Sequence, residues 1–276
     1  MEEKNYRVLR IEEQLYGCEE LPEGQPVLCD VLLEAADGTQ RVLPYPDAEL
    51  TRLDINEGST VTLRDHRLAK AVHKVYFTRH GETVWNRHHK VQGVADIPLA
   101  ENGILLAEKT GEALKNVSFD LCITSPLVRA RKTAELILAK QAHKVPVKED
   151  IRIREINFGV LEGVVCMNDA REYLDPQMKK FFTDPWNFDR PKDGESIRDV
   201  LARTKEFWEE LIHNPKLQDK TILIASHGCA VRALLHNVYK DHEDFWHGFV
   251  PPNCSVNVVE VTDGQAVLLE DDKVYA

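Results

Sequence analysis

Short apolar runs separated by turn residues dominate the first seventy positions. Tyr6-Arg7-Val8-Leu9-Arg10-Ile11 and Val27-Leu28-Cys29-Asp30-Val31-Leu32-Leu33 have the composition of strands. Asp37-Gly38 is a hairpin turn into Gln40-Arg41-Val42-Leu43, and Asn56-Glu57-Gly58-Ser59 turns into Thr60-Val61-Thr62-Leu63. Four short strands predict a small barrel or curled sheet over residues 1–70. The stretch Asp65 to His73 reads as a short helical connector.

From Lys74 the pattern changes to apolar strands alternating with amphipathic helices. Val75–Thr78, Leu121–Thr124 and Thr221–Ala225 are buried-type strands. Helices are expected over Glu101–Asn116, from Ser125-Pro126 onward, over Ser196–Ile212, and from Gly228 to about Tyr239. Ser125 and Ser196 are the expected N-caps, with Pro126 at the first helical position. Two late strands, Ser255–Val261 and Ala266–Leu269, flank the Asp263-Gly264 turn. Such alternation predicts an α/β domain over 74–276, with a mostly parallel central sheet flanked by helices, behind the small β-rich domain.

Three of those strands run into reactive residues: Arg79-His80-Gly81, Ser226-His227-Gly228, and Ser125-Pro126-Leu127-Val128-Arg129. Ligands of open α/β sheets bind beyond the carboxyl ends of the strands, so neighbouring strands would deliver all three segments to one crevice. Glycine after each histidine allows close backbone approach to an anion, and a helix N-terminus favours one. Phosphoryl transfer without a metal needs positioning, positive charge, a nucleophile and a proton donor. A neutral imidazole can be that nucleophile. Arg79 and Arg129 offer planar forks for phosphate oxygens, His227 a further cation, and Glu155 a carboxyl group for the leaving oxygen.

The ordered set Arg79-His80-Gly81-Glu82-Thr83 with Asn86, Gln92-Gly93 with Asp96-Ile97-Pro98-Leu99, Ser125–Ala130 with Thr133-Ala134, Glu155 with Phe158–Gly163, Gly194-Glu195-Ser196, Ser226-His227-Gly228 and Pro252–Ser255 resembles the histidine phosphatase superfamily, also called phosphoglycerate mutase-like. The resemblance covers about residues 74–270. It implies His80 as phosphorylated nucleophile, His227 as its facing partner, and Glu155 as general acid and then base. It implies phosphate binding by Arg79, Asn86 and Arg129, a substrate-side position for Gln92 and Gly93, and no metal or cofactor. After Glu155, the lysine and arginine pair expected of the mutase branch are not found in Phe158–Val165 or before Gly194. A phosphatase acting on a small phosphomonoester is therefore favoured over a phosphoglycerate-mutase-type phosphotransferase, and both over a non-catalytic binding module.

Composition narrows the partners. The net charge of −11, with the larger share of the excess in the first seventy residues, repels polyanions, so nucleic acid is not expected. No apolar run is long enough for a membrane helix, and the start has neither a basic n-region nor an apolar h-region, which predicts a cytoplasmic protein. Six scattered cysteines predict neither a disulfide framework nor a zinc cage. Nothing selects among a partner contact, a shaped pocket mouth and a homo-oligomer contact for the N-terminal domain.

Plainer readings stand beside these. Each histidine could satisfy backbone groups, Arg129 could pair with Glu135, Glu155 could pair with Arg152 or Arg154, and Asn86 could be a local cap. Arg87-His88-His89-Lys90 reads as a solvated loop and Asp241–Asp244 with His247 as an exposed helix end. Trp186 and Phe188 either cover the pocket or pack.

Overall fold

The computed structural model describes residues 4–14, 25–214 and 216–275, so Met1–Glu3 and Cys18 lie outside the described residues. The chain divides into two compact units.

The first unit is an antiparallel sheet in the order β3-β2-β1-β4-β5. Its strands are β1 (Lys4–Glu13), β2 (Leu28–Ala35), β3 (Gln40–Pro46), β4 (Thr60–Arg64) and β5 (Arg67–Lys70), with helix α1 (Asp47–Arg52) after β3. Alternation in β2 buries Cys29, Val31 and Leu33 on one face, against Val8, Leu43, Tyr45 and Val61. The helix expected after Asp65 is absent. Asp65 and His66 both have positive φ, at 45° and 64°, and form a two-residue reversal that pairs Arg64 with Arg67. Leu68 then joins the core, and its N–H donates to the Tyr45 hydroxyl at 3.1 Å.

This unit is not a continuous stretch of chain. It takes in Ile212–Lys220 and Val261–Ala266 as well as Met1–His73. The Asp263 carboxylate accepts the Thr60 N–H at 2.9 Å and pairs with Lys70 at 3.0 Å. The Asn5 amide donates to the Gln218 carbonyl at 2.9 Å. A boundary drawn at residue 70 therefore misses two later segments, held by polar contacts that hydrophobic periodicity does not reveal.

The second unit is α/β. Its strands are β6 (Val72–Arg79), β7 (Leu121–Thr124), β8 (Val147–Glu149), β9 (Thr221–Ser226), β10 (Val256–Thr262) and β11 (Gln265–Lys273), in the order β11-β10-β6-β9-β7-β8. Pairing is parallel from β6 through β9 and β7 to β8. All four residues of β7 and the last five of β9 are buried, which is why these strands read as unbroken apolar runs. The helices are α2 (Val84–Arg87), α3 (Glu101–Ala113), α4 (Val128–Leu138), α5 (Pro176–Thr183), α6 (Ile197–His213) and α7 (Gly228–Leu235). The α/β class and the antiparallel N-terminal sheet agree with the sequence reading.

One helix start differs and one agrees. Helix α4 begins at Val128 with Leu127 at the N-cap, not at Ser125-Pro126; the Ser125 hydroxyl sits 2.7 Å from the His227 ring and accepts the Leu127 N–H at 3.3 Å. Ser196 stands just before α6, where its hydroxyl accepts the Asp199 N–H at 3.3 Å, as a cap should.

Candidate active site

Strands β6, β9 and β7 are consecutive in the sheet, and their carboxyl ends carry the three reactive segments. The rings of His80 and His227 lie 5.2 Å apart between centroids. His80 Nδ1 is 2.7 Å from the Gly81 carbonyl, which acts only as an acceptor. The proton therefore belongs on Nδ1, and Nε2 keeps its lone pair. Burial, with the Arg129 and Arg79 guanidiniums beside it, pushes His80 well below its usual 6.5, so the ring is neutral at physiological pH. Burial and the nearby Arg129 also push His227 well below 6.5. In this site, then, His227 is neutral rather than the cation expected from sequence, since its neighbours are cationic. A bound anion would reverse that electrostatic balance.

The two glycines after the histidines serve different ends. A Cβ on Gly81 would fall 2.5 Å from the Gly103 carbonyl oxygen, so Gly81 serves backbone packing. A Cβ on Gly228 would fall 2.5 Å from Val250 Cγ1, but only at ordinary contact distance, 3.6 and 3.7 Å, from Arg79 Nε and Glu155 Oε2. Gly228 therefore makes room for the Val250 side chain beside these two groups.

Arg129 does not pair with Glu135, which binds Lys132 instead. Its guanidinium donates to the carbonyls of Gly93 at 2.6 Å and Ala95 at 2.8 Å. Burial lowers it to about 10, which leaves it cationic at neutral pH. Those carbonyls are positioned by Glu162, whose carboxylate accepts the N–H groups of Gly93, Val94, Ala95 and Phe158 at 2.9–3.3 Å. A Cβ on Gly93 would sit 2.3 Å from Glu162 Oε1. Gly93 is therefore a buried point of contact, its N–H bonded to Glu162 and its carbonyl to Arg129, and it does not line the cavity, where the resemblance implied a substrate-side position. Sequence reasoning assigned Glu162 no role, although it lies inside a quoted motif.

Glu155 pairs with neither neighbouring arginine. Arg154 binds Glu195 at 2.8 Å and Arg152 binds Asp150 at 2.6 Å. The Glu155 carboxylate instead accepts the N–H group of Ile156 next to it, and those of Cys229 and Ala230 at the start of α7, at 2.9–3.2 Å. Burial raises its pKa, against the opposing pull of those N–H groups, Arg129 and Arg79. Arg203, also missed from sequence, donates to the carbonyls of Arg152, Arg154 and Glu155 and fixes the backbone that carries the acid.

A cavity of about 250 Å³ opens beside these groups, with Arg79, Asn86, Gln92 and Glu155 in its lining. His80, Arg129 and His227 are not part of the lining and are at most 2% exposed. Asn86 is a cap, in a reciprocal box with Thr83, and lines the cavity as well. His89 and Lys90 also line it, so only Arg87, paired with Glu82, and His88 fit the solvated-loop reading. Four of the eight buried side-chain nitrogens that have no hydrogen-bond partner among the described residues belong to this site: Arg79 Nε, Gln92 Nε2, Arg129 Nε and His227 Nδ1.

Other expectations resolve simply. Phe188 packs against Phe158 and Phe181, and Trp186 donates to the Glu243 carbonyl outside the cavity. Asp241–Asp244 is exposed but lies beyond the end of α7 in irregular backbone, not at a helix end. Among the described residues, no three His, Cys, Asp or Glu side chains are placed to share a metal ion, the five cysteines are free and buried, and no helix is long and apolar enough to cross a membrane.

This α/β sheet, with paired histidines at adjacent strand ends, belongs to a recognised class. Residues 75–271 match the model of the histidine phosphatase superfamily (branch 1), and the chain belongs to that family. It is 34% identical over 160 residues to a 2,3-bisphosphoglycerate-dependent phosphoglycerate mutase 2 of Gloeobacter violaceus, covering 57% of this chain and 71% of that protein. It is 28% identical over 204 residues to a probable 2-carboxy-D-arabinitol-1-phosphatase of Arabidopsis thaliana, covering 73% of this chain but only 41% of the plant protein's length. Among solved structures, Bacillus stearothermophilus YhfR superposes with a TM-score of 0.64 at 29% identity, covering 73% of this chain and 98% of its own.

Proposed function

We propose that this chain is a phosphatase that hydrolyses a small phosphomonoester through a phosphohistidine on His80, using groups supplied by the chain alone. The observation that carries this reading is the set of four buried, unpartnered nitrogens on Arg79, Gln92, Arg129 and His227. Buried polar groups are almost always hydrogen-bonded, and a phosphoryl group is the acceptor that matches such donors.

In the proposed reaction, the His80 Nε2 lone pair attacks phosphorus and the bond to the ester oxygen breaks. Protonated Glu155 gives its proton to the departing alkoxide, for which a raised pKa suits it. The Nδ1–H bond to the Gly81 carbonyl supports the positive charge on the phosphorylated ring. Water then attacks phosphorus, the bond from phosphorus to His80 Nε2 breaks, and Glu155 takes a proton from that water. Phosphate leaves, and His80 returns to neutrality.

The mutase reading has one specific observation in its favour: the Lys90 ammonium and the His89 ring line the cavity, where a substrate carboxylate could meet them. Against it, no arginine other than Arg79 lines that cavity. The deciding experiment measures phosphate release from alkyl, sugar and glycerate phosphates, with chelator present, in wild type and His80→Ala. Release that survives chelator and vanishes in the variant, together with an acid-labile phosphoryl-enzyme absent from the variant, is expected. Ordinary hydrolysis by His80→Ala would overturn the mechanism. Isomerisation of phosphoglycerate without net phosphate release would replace phosphatase by mutase.

A further inference from the structure

Part of the cavity lining is aromatic. Phe158, Phe182, Trp246 and Phe249 contribute to it, with the thioethers of Met167 and Met178. Phe182 and Phe249 stack, at 5.4 Å between centroids and 19° between planes. Phe249 is nevertheless 49% exposed.

Phe249 is held there by its backbone rather than by burial of its ring. The buried Arg232 donates to the Phe249 carbonyl from Nε at 3.1 Å and Nη2 at 2.9 Å, and is itself paired with Asp272. On one side of it, the Trp246 indole donates to the Phe181 carbonyl at 3.0 Å. On the other, the Pro251 carbonyl accepts Arg79 Nη1 at 2.6 Å, and the Asn253 amide donates to the His80 carbonyl at 2.9 Å. One short segment therefore ties the aromatic wall to both members of the Arg79-His80 pair. A half-exposed ring fixed in this way is pre-organised to receive another flat group.

Size agrees with this. A cavity of roughly 150 Å³ suffices for a benzene molecule. About 250 Å³ leaves room for one ring and the phosphoryl end. Apart from Glu155, no carboxylate lines the cavity to disfavour a phosphate ester.

We propose that the Phe182–Phe249 pair makes this site selective for phosphomonoesters whose alcohol portion carries a single flat apolar ring. The inference rests on the phosphatase reading above for its reaction, but not for its binding preference.

The test compares 2-phenylethyl phosphate with ethyl phosphate, whose leaving alcohols have similar acidity, so that a difference reports the ring and not the chemistry. Wild type is expected to favour the phenylethyl ester in kcat/KM by on the order of tenfold or more. Phe249→Ala should remove most of that ratio and Phe249→Tyr should restore it, a pattern that general loosening of the fold does not produce. Equal kcat/KM for the two esters, or a ratio untouched by Phe249→Ala, would overturn the proposal while leaving the phosphatase reading in place. Calorimetric binding of benzylphosphonate against methylphosphonate decides the case if neither ester is hydrolysed. Tighter binding of the benzyl compound, lost in Phe249→Ala, would uphold the aromatic site as the phosphatase reading fails. Equal affinities would sink the aromatic site.

Discussion

The imidazoles of His80 and His227 face each other at 5.2 Å between centroids and 58° between planes, and both are all but sealed from solvent. Two neutral histidines this close, flanked by Arg79 and Arg129, make folding stability depend on pH. Both have pKa values depressed below 6.5 in the folded protein, so the unfolded chain binds protons that the native state refuses. Their contribution is complete above about 6.5 and is lost as pH falls toward the folded values. His73 and His236 move in the same direction. Glu155, with a raised pKa, acts with the opposite sign: its burial costs least at low pH, and stability falls as pH rises through its folded pKa. Four groups against one predict a urea midpoint that drops between about pH 7 and 5. His227→Gln should flatten that slope. An unchanged slope in the variant would show that His227 does not titrate as described.

Glu155→Gln should lower turnover by about 10²–10⁴-fold for alkyl esters, whose leaving oxygens need a proton, and far less for a nitrophenyl ester. Steady-state kinetics across leaving groups of graded acidity measures this directly. A uniform loss across the series would remove Glu155 from the acid role.

Glu162→Gln keeps one acceptor oxygen but loses the charge that four backbone N–H groups share. Hydrogen bonds to a charged group contribute about 1.5–3 kcal/mol each, so denaturant unfolding should show a loss of at least about 2 kcal/mol. Because Arg129 rests on the carbonyls of the same loop, inhibition by inorganic phosphate should weaken along with it. Retention of full stability would mean that the carboxylate merely follows a loop set by other contacts.

Much of the site was legible in the chain because its chemistry is local. Arg79-His80-Gly81 and Ser226-His227-Gly228 each follow an unbroken apolar run, and a reactive residue directly after a buried strand has few other places to go. The Asp65–His73 hairpin was not legible. Its reversal depends on positive φ at Asp65 and His66, two residues that tolerate that conformation without demanding it. Ser125-Pro126 has the local grammar of a helix start, yet α4 begins at Val128 and the Ser125 hydroxyl meets a ring 102 residues away.

By itself the sequence determined the α/β class, the order of the strands along the chain, and the identity of the polar groups at three strand ends. Periodicity and turn chemistry are properties of neighbouring residues, and they survive without any knowledge of the fold. Tertiary structure alone decided that β6, β9 and β7 are adjacent, that Glu162 reaches back to Gly93, and that Arg203 carries the backbone of Glu155. It also decided that His227 is neutral and that Phe249 stands half-exposed in the lining of the cavity that Arg79 also lines. Each of those depends on burial or on hydrogen bonds between residues far apart in the chain, and desolvation has no local signature in sequence.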